Sequence, residues 1–323
     1  MIPLSLLYRS VVGIRRWLFK TGILSTQHLS VPVVVVGNIS VGGTGKTPLT
    51  LWLVKSLREA GFKPGIISRG YGRQSASHCH KIKAVNAHDN PLECGDEPVL
   101  LARLANCPIW IGVDRVAAGK ALLAAHPDCN LIISDDGLQH YRLARDFEIA
   151  VVDAVRGFGN GWMLPAGPLR EPIQRLRQVD ALVVRCTQGL PSAFNLKPLG
   201  PTVFEMRLQA ADFYRLNQPD QKHTVVELQS LRLHAVAGIG HPELFFATLK
   251  ALGLQFTPHA YPDHYRFSAG ELDFEDADAI LMTEKDAVKY EPYANAKHFA
   301  LSTTTIIDGP LATLLRTRLS RKS

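Results

Sequence analysis

The chain has 323 residues, 46% of them hydrophobic and 20% charged, which excludes a disordered or fibrous chain and predicts two domains. Its net charge of +7 favours an anionic partner: a nucleotide, a phosphorylated substrate, a nucleic acid or an acidic lipid. Five scattered cysteines (Cys79, Cys94, Cys107, Cys129, Cys186) without a CxxC pair exclude a zinc ribbon or disulfide framework and predict reduced thiols in a cytoplasmic protein.

Residues 1–24 carry Arg9, Arg15, Arg16 and Lys20 and no acid. The charges interrupt the apolar stretch, no small-residue cleavage site follows, and no uninterrupted run of about 18 apolar residues exists to span a membrane. Read as a helix, Leu4, Leu7, Val11, Ile14 and Leu18 form one stripe at spacings of three and four, with Arg9, Arg16 and Lys20 opposite and Arg15 on the flank. The pattern suits a helix lying in a membrane interface, and it equally describes a terminal helix docked on the protein's own core. The membrane reading is the one preferred here.

From residue 33 onward short β-branched runs alternate with helical stretches. Strands are predicted at 33–36, 65–68, 82–85, 109–113, 131–134, 149–153 and 181–185, and helices at 46–60, 97–105 and 115–125. Continuous Val/Ile runs separated by helices indicate a parallel sheet covered on both faces, so the fold class is α/β. Residues 187–222 are richer in Gln, Gly, Pro, Ser and Asn, and read as a linker with a strand at 203–208 and a small hairpin. A second α/β pattern follows, with strands at 234–239 and 279–283 and helices at 242–252 and 310–319. The predicted organisation is an N-terminal helix (1–24), a P-loop domain (25–205) and a smaller C-terminal α/β domain (206–323).

The strongest local signal lies between the first strand and the first helix of that P-loop region. The run Ser40-Val41-Gly42-Gly43-Thr44-Gly45-Lys46-Thr47 ends in the Gly-Lys-Thr of a phosphate-binding loop. Glycines let backbone N–H groups curl around a β-phosphate, Lys46 reaches the β and γ oxygens, and the Thr47 hydroxyl binds Mg²⁺. Ser40 stands where the common pattern has its first glycine, and Gly42 and Gly43 supply the flexibility. A metal-side acid is expected at the end of a neighbouring buried strand, and Asp135 and Asp136 follow residues 131–134. The implied cofactors are ATP and Mg²⁺. No nucleic-acid recognition motif or basic-aromatic stripe is present, so nucleic acid is not an expected partner.

Seven further strings run in order along the chain: Gly37-Asn38 with Gly42 to Pro48; Ser68-Arg69-Gly70-Tyr71-Gly72-Arg73; Gly95-Asp96-Glu97-Pro98; Asp135-Asp136-Gly137-Leu138-Gln139-His140; residues 164–172 (LPAGPLREP); Pro262-Asp263-His264-Tyr265; and residues 283–289 (TEKDAVK). Together with the N-terminal helix they closely resemble the tetraacyldisaccharide 4′-kinases of lipid A biosynthesis, and Ser40 looks like that family's own variant of the loop. The resemblance implies transfer of the γ-phosphoryl group of ATP to the 4′-hydroxyl of a tetraacylated glucosamine disaccharide 1-phosphate. It implies Asp96 as base, acting with His264, beside the catalytic cations Lys46 and Arg170. Glu171 is expected on the magnesium side with Thr47, Asp135 and Asp136. Arg69, Tyr71, Arg73 and Arg115 are expected to hold the acceptor, with Gln139 and His140 lining the site. The string 283–289 suggests nucleotide or domain-interface contacts. The implied place is the cytoplasmic face of a bacterial inner membrane, with the glycolipid and the membrane surface as partners and no obligate protein partner. Rival readings are another P-loop kinase or ligase, and a membrane-associated ATPase switch; dependence of ATP consumption on glycolipid separates them.

Overall fold

The computed structural model describes residues 1–71, 81–187, 189, 196 and 199–320. The chain opens with α1 (Ile2–Lys20) and then alternates: β1 (Val33–Gly37), α2 (Lys46–Glu59), β2 (Pro64–Ser68), β3 (Lys83–Ala84), α3 (Pro91–Cys94), α4 (Asp96–Leu104), β4 (Ile109–Ile111), α5 (Arg115–Ala125), β5 (Leu131–Ser134), β6 (Phe147–Asp153) and β7 (Ala181–Arg185). The second half comprises β8 (Thr202–Arg215), β9 (Gln218–His223), α6 (Val225–Leu228), β10 (Leu233–Ala237), α7 (Pro242–Ala251), β11 (Phe256–Ala260), β12 (Ala279–Thr283), α8 (Glu284–Tyr290), β13 (His298–Asp308) and α9 (Leu311–Ser320).

These strands form one 13-stranded sheet, in the order β11-β10-β12-β13-β8-β7-β6-β1-β5-β2-β4-β3 with β9 on β8. The fold is α/β, as its Val/Ile runs require. Every residue of β1, β5 and β6 is buried, because helices cover both faces and leave no side of these strands for water. β1 lies between β5 and β6, both parallel to it. Their carboxyl ends therefore open on one edge, where loops after parallel strands gather ligand-binding groups.

The segment read as a linker is sheet. β8 pairs in parallel with β7 and antiparallel with β13 from Glu205–Asp308 to Arg215–Phe299, and turns back into the polar β9. The predicted hairpin is present in β8 and β9, and the boundary drawn between residues 205 and 206 falls inside β8. Residues 190–195 of that segment lie outside the described residues.

α1 lies against the P-loop half by a face distinct from its apolar stripe. Ser5 Oγ donates to the Met163 carbonyl (2.7 Å), Tyr8 OH to that of Arg170 (3.3 Å), and Arg16 to Gln178 (2.6 Å), while Val12 packs on the core cluster beneath. Leu4, Leu7, Val11 and Ile14 of the stripe remain exposed, as does Trp17. Docking on the core and presenting an apolar face outward are therefore both true of this helix. Among the described residues no helix is long and apolar enough to cross a membrane.

Candidate active site

β1 delivers the chain into a loop that folds on itself. The buried Asn38 donates from Nδ2 to Thr44 Oγ1 (3.1 Å) and reaches the Gly42 carbonyl (3.5 Å). Gly45 caps α2 at φ 92°, and Gly42 stands at φ 94°, conformations that cost a side chain dearly. A Cβ on Gly42 would also fall 2.2 Å from the Arg156 guanidinium, which therefore lies over the loop. The Gly/Pro segment at 164–172 runs alongside: Val41 N–H donates to Pro168 (2.9 Å), Arg170 N–H to Ile39 (2.6 Å), and Ser40 pairs with Leu169. This apposition carries the Arg170 side chain to the mouth of the loop.

Lys46 and Arg170 converge on one carboxylate. Lys46 Nζ is 3.4 Å and Arg170 Nη1 3.3 Å from Asp136, which sits at φ 49° in the turn after β5. Burial alone would raise the Asp136 pKa, but Lys46, then Arg170 and Arg115, hold it below the ordinary range. Two cations aimed at one anionic point beside a phosphate-binding loop suit the terminal phosphate of a nucleotide.

Asp135 has a different environment. It is buried, accepts from the hydroxyls of Thr50 (3.2 Å) and Ser68 (3.4 Å), and is pushed up to about 7 by burial, then by Glu97 and Asp136. Thr47 is half-buried in the first turn of α2. Among the described residues no cluster of three or more His, Cys, Asp or Glu is built to hold a metal. One hydroxyl and one poorly compensated carboxylate, completed by water and phosphate oxygens, are the donor set that suits Mg²⁺. The residues present fit that ion.

Glu171 is fully buried and occupied by its neighbours. It accepts from Gln139 Nε2 (2.9 Å) and from the Tyr141 hydroxyl, with Arg175 Nε at 4.0 Å. Gln139 also donates to the Asn38 carbonyl (2.9 Å), so this network fastens the 164–172 segment to the start of the phosphate loop. Arg175, also buried, donates to both oxygens of Glu148 (2.6 and 2.8 Å). Arg175→Ala removes one partner of this buried pair and is expected to lower stability by about 3 kcal/mol in chemical denaturation; an unchanged midpoint contradicts the network's role.

Arg115 is buried, donating to the carbonyls of Val113 (2.9 Å) and Asp136 (3.4 Å), where it braces the Asp135–Asp136 turn. His140 lies behind that turn, its pKa driven down to about 4 by burial and then by Arg115. Arg69 and Tyr71 are exposed after β2, and Arg73 lies outside the described residues.

The second half of the site comes from α4 and the loop after β11. Gly95, at φ 93°, is the N-cap of α4, and a Cβ there would lie 2.5 Å from the Tyr71 carbonyl, so only glycine permits this approach. Asp96 follows as the first helical residue, buried, its Oδ1 accepting from the Glu97 N–H (3.0 Å). Its Oδ2 lies 2.9 Å from His264 Nδ1, across 168 residues of sequence. The Tyr71 ring stands edge-on to His264 at 5.7 Å between centroids. A Cβ on Gly240 would sit 3.3 Å from Asp263 Oδ2 and 4.0 Å from the Gly43 N, so the loop holding His264 borders the phosphate loop.

The pair's titration is coupled. Burial opposes charge on Asp96, but the His264 hydrogen bond and then Lys285 hold it below its ordinary value; that same bond raises His264, against burial and Lys285. Asp96 therefore adds stability that is lost as pH falls through its lowered value. His264 adds stability that is complete below its ordinary value and lost as pH rises through its raised one. The pair is worth most between about 3.8 and 6.5. A double-mutant cycle of Asp96→Asn and His264→Gln in thermal melts is expected to give a larger coupling at pH 6 than at pH 9, and equal couplings contradict the pairing.

With this geometry in place, the comparisons decide the family. A model of the family described as "LpxK: Tetraacyldisaccharide-1-P 4'-kinase" matches residues 1–320. The chain belongs to the tetraacyldisaccharide 4′-kinase family. A family member from Azoarcus sp. (strain BH72) is 48% identical over 318 residues, covering 98% of this chain and 90% of its own. Another, from Dechloromonas aromatica (strain RCB), is 50% identical over 290 residues, covering 90% and 83%. Among solved structures, LpxK from Aquifex aeolicus, described as an "apo" form in complex with ATP, superposes with a TM-score of 0.82 at 30% identity over 98% of each chain.

Family membership agrees with the resemblance carried by the seven strings. Sequence reasoning left out Lys285, Asp263, Glu97, Asn38 and Arg156 as site residues. Lys285 lies 3.3 Å from Glu97, 3.4 Å from Asp263 and 3.4 Å from His264 Nε2. The signal was present in the charged string 283–289, but its partners are far apart in sequence. Two neighbours in that string are structural: the Thr283 hydroxyl caps α8, and Asp286 accepts from the Gly238 N–H (3.0 Å).

Proposed function

We infer that this protein is an ATP- and Mg²⁺-dependent tetraacyldisaccharide 4′-kinase, transferring the γ-phosphoryl group of ATP to the 4′-hydroxyl of tetraacylated glucosamine disaccharide 1-phosphate. The observation that supports it best is the Asp96–His264 pair held beside a phosphate loop whose cations, Lys46 and Arg170, meet at Asp136. A base and a phosphate grip side by side are what a sugar hydroxyl needs to attack phosphorus.

The nucleotide phosphates lie along residues 40–47, their charge met by backbone N–H groups, by Lys46 and by the start of α2. Lys46 and Arg170 exchange Asp136 for γ-phosphate oxygens. Thr47 and Asp135 would hold the magnesium ion, with Asp136 beside them, and the bound ion would neutralise phosphate charge; Glu171, expected on that side, is instead taken up by Gln139 and Tyr141 and fastens the 164–172 segment. Asp96 takes the proton of the 4′-hydroxyl as its oxygen bonds to the γ-phosphorus and the bond to ADP breaks. His264 orients Asp96. Arg69 and Tyr71 face the acceptor, Gln139 ties the loop to Glu171, and Arg115 acts through the turn it braces.

The exposed stripe of α1 enters the lipid boundary, with its basic residues against anionic headgroups, and holds the protein peripherally at the cytoplasmic face of the inner membrane. The paired substitution Leu7→Asp and Val11→Asp is expected to weaken binding to anionic vesicles at least about tenfold while the KM for ATP is unchanged. Unaltered vesicle binding contradicts this contact. The kinase reading itself is tested by ATP consumption with and without the tetraacylated acceptor in detergent. Consumption that requires the acceptor supports it, and equal consumption without acceptor would favour an ATPase switch.

A further inference from the structure

We infer that Lys285 is a positioning residue of the phosphoryl transfer: its ammonium, wedged among Glu97, Asp263 and Asp96 and against His264 Nε2, keeps Asp96 ionised and fixes which imidazole nitrogen carries the proton. The inference rests on Asp96 being the base proposed above.

Lys285 is the second residue of α8, which the Thr283 hydroxyl caps by accepting from the Asp286 N–H (3.1 Å). Its side chain is 19% exposed, and its Nζ lies 3.3 Å from Glu97 Oε1, 3.4 Å from Asp263 Oδ1 and 3.8 Å from Asp96 Oδ2. The same nitrogen is 3.4 Å from His264 Nε2. An ammonium has three donors and no acceptor, so the imidazole nitrogen facing it must offer a lone pair. Neutral His264 then carries its proton on Nδ1 and donates it to Asp96 Oδ2 at 2.9 Å. With Oδ1 accepting from the Glu97 N–H, both oxygens of the base are fixed in direction.

The charges around the pair give Lys285 a second effect. Asp96 faces His264, Lys285 and Lys289; His264 faces Asp96, Asp263 and Lys285, with the Tyr71 ring edge-on. Lys289 is bound to Asp286 and to the Gly238 carbonyl, whereas the Lys285 ammonium lies 3.8 Å from Asp96 Oδ2. Burial alone would discharge Lys285, but Glu97, then Asp96 and Asp263, keep it charged. Without it, among the described residues His264 and the engaged Lys289 remain to offset the charge on Asp96, and Asp96 would take up a proton at higher pH.

The test compares Lys285→Met, Lys285→Gln, Lys285→Arg and Asp96→Asn in phosphate transfer from ATP across pH. In Lys285→Met and Lys285→Gln the acid limb of kcat is expected to move to higher pH by about one pH unit, with kcat at pH 7 reduced about tenfold or more and the KM for ATP within about twofold. Lys285→Arg restores the limb. A neutral variant with the wild-type limb and kcat overturns the inference, while retained activity in Asp96→Asn overturns the base assignment beneath it. Wild-type protein gives an independent reading: ¹⁵N NMR of labelled histidine at pH 9 is expected to show His264 protonated on Nδ1. Protonation on Nε2 there overturns the inference whatever the variants do.

Discussion

Lys46→Ala is expected to lower kcat for phosphate transfer by roughly 10³-fold or more, since it removes a cation aimed at the transferring group. The residue opens α2 directly after the left-handed Gly45, and its ammonium lies 3.4 Å from Asp136. Loss of its charge also leaves Asp136 with Arg170 and Arg115 as its cations, which raises the Asp136 pKa. Folding is expected to survive, because Lys46 makes no contact on which the core depends. Steady-state kinetics beside a thermal melt check this. More than a few per cent of wild-type activity in a folded Lys46→Ala protein contradicts the phosphate-loop assignment.

Asp96→Asn is expected to reduce kcat about 10³-fold with little change in the KM for ATP, because proton removal by a positioned base contributes about 10² to 10⁴. The substitution keeps the shape and the hydrogen bond from the Glu97 N–H, and it removes the basic oxygen facing His264. His264→Gln is expected to cost less, since it disturbs the orientation of the base and leaves the base in place. Equal losses would make the two a single functional unit; a loss at His264 larger than at Asp96 contradicts the assigned roles.

The elements legible in the sequence were those whose signal is local. β1 reads as buried because four valines in a row have no polar side for water. The helix predicted at 115–125 is α5, and Asp114 caps it, accepting from the N–H groups of Val116 and Ala117. The phosphate loop and the two aspartates after β5 follow from strand–turn–helix grammar. What escaped was set by distant pairing. β8 and β13 form a long antiparallel ladder between residues about ninety apart, and their half-exposed patterns offer no strong strand signature alone. β11 is an edge strand holding Pro258, and β9 is polar throughout. The α1 stripe was visible, but the docked face of Ser5, Tyr8 and Val12 was not, because its partners Met163 and Arg170 lie some 160 residues on. The meeting of Asp96 with His264, and of both with Lys285, depends in the same way on the fold that brings α4 and α8 together.

These features make the site a joint product of two stretches of chain. In the proposed reading, residues 38–47, 135–136 and 170 grip the phosphates and Asp96 stands at their border, where residues 263–264 and 285 meet it.

The most direct test is transfer of radiolabelled γ-phosphate from ATP to tetraacylated disaccharide 1-phosphate, with Mg²⁺ and detergent, by wild-type protein beside Asp96→Asn. The expected result is a labelled bisphosphate carrying the new phosphate at the 4′ position, formed only with acceptor and collapsing in the variant. Wild-type protein that binds ATP and leaves the acceptor unlabelled, or Asp96→Asn that labels it at the wild-type rate, would contradict the account.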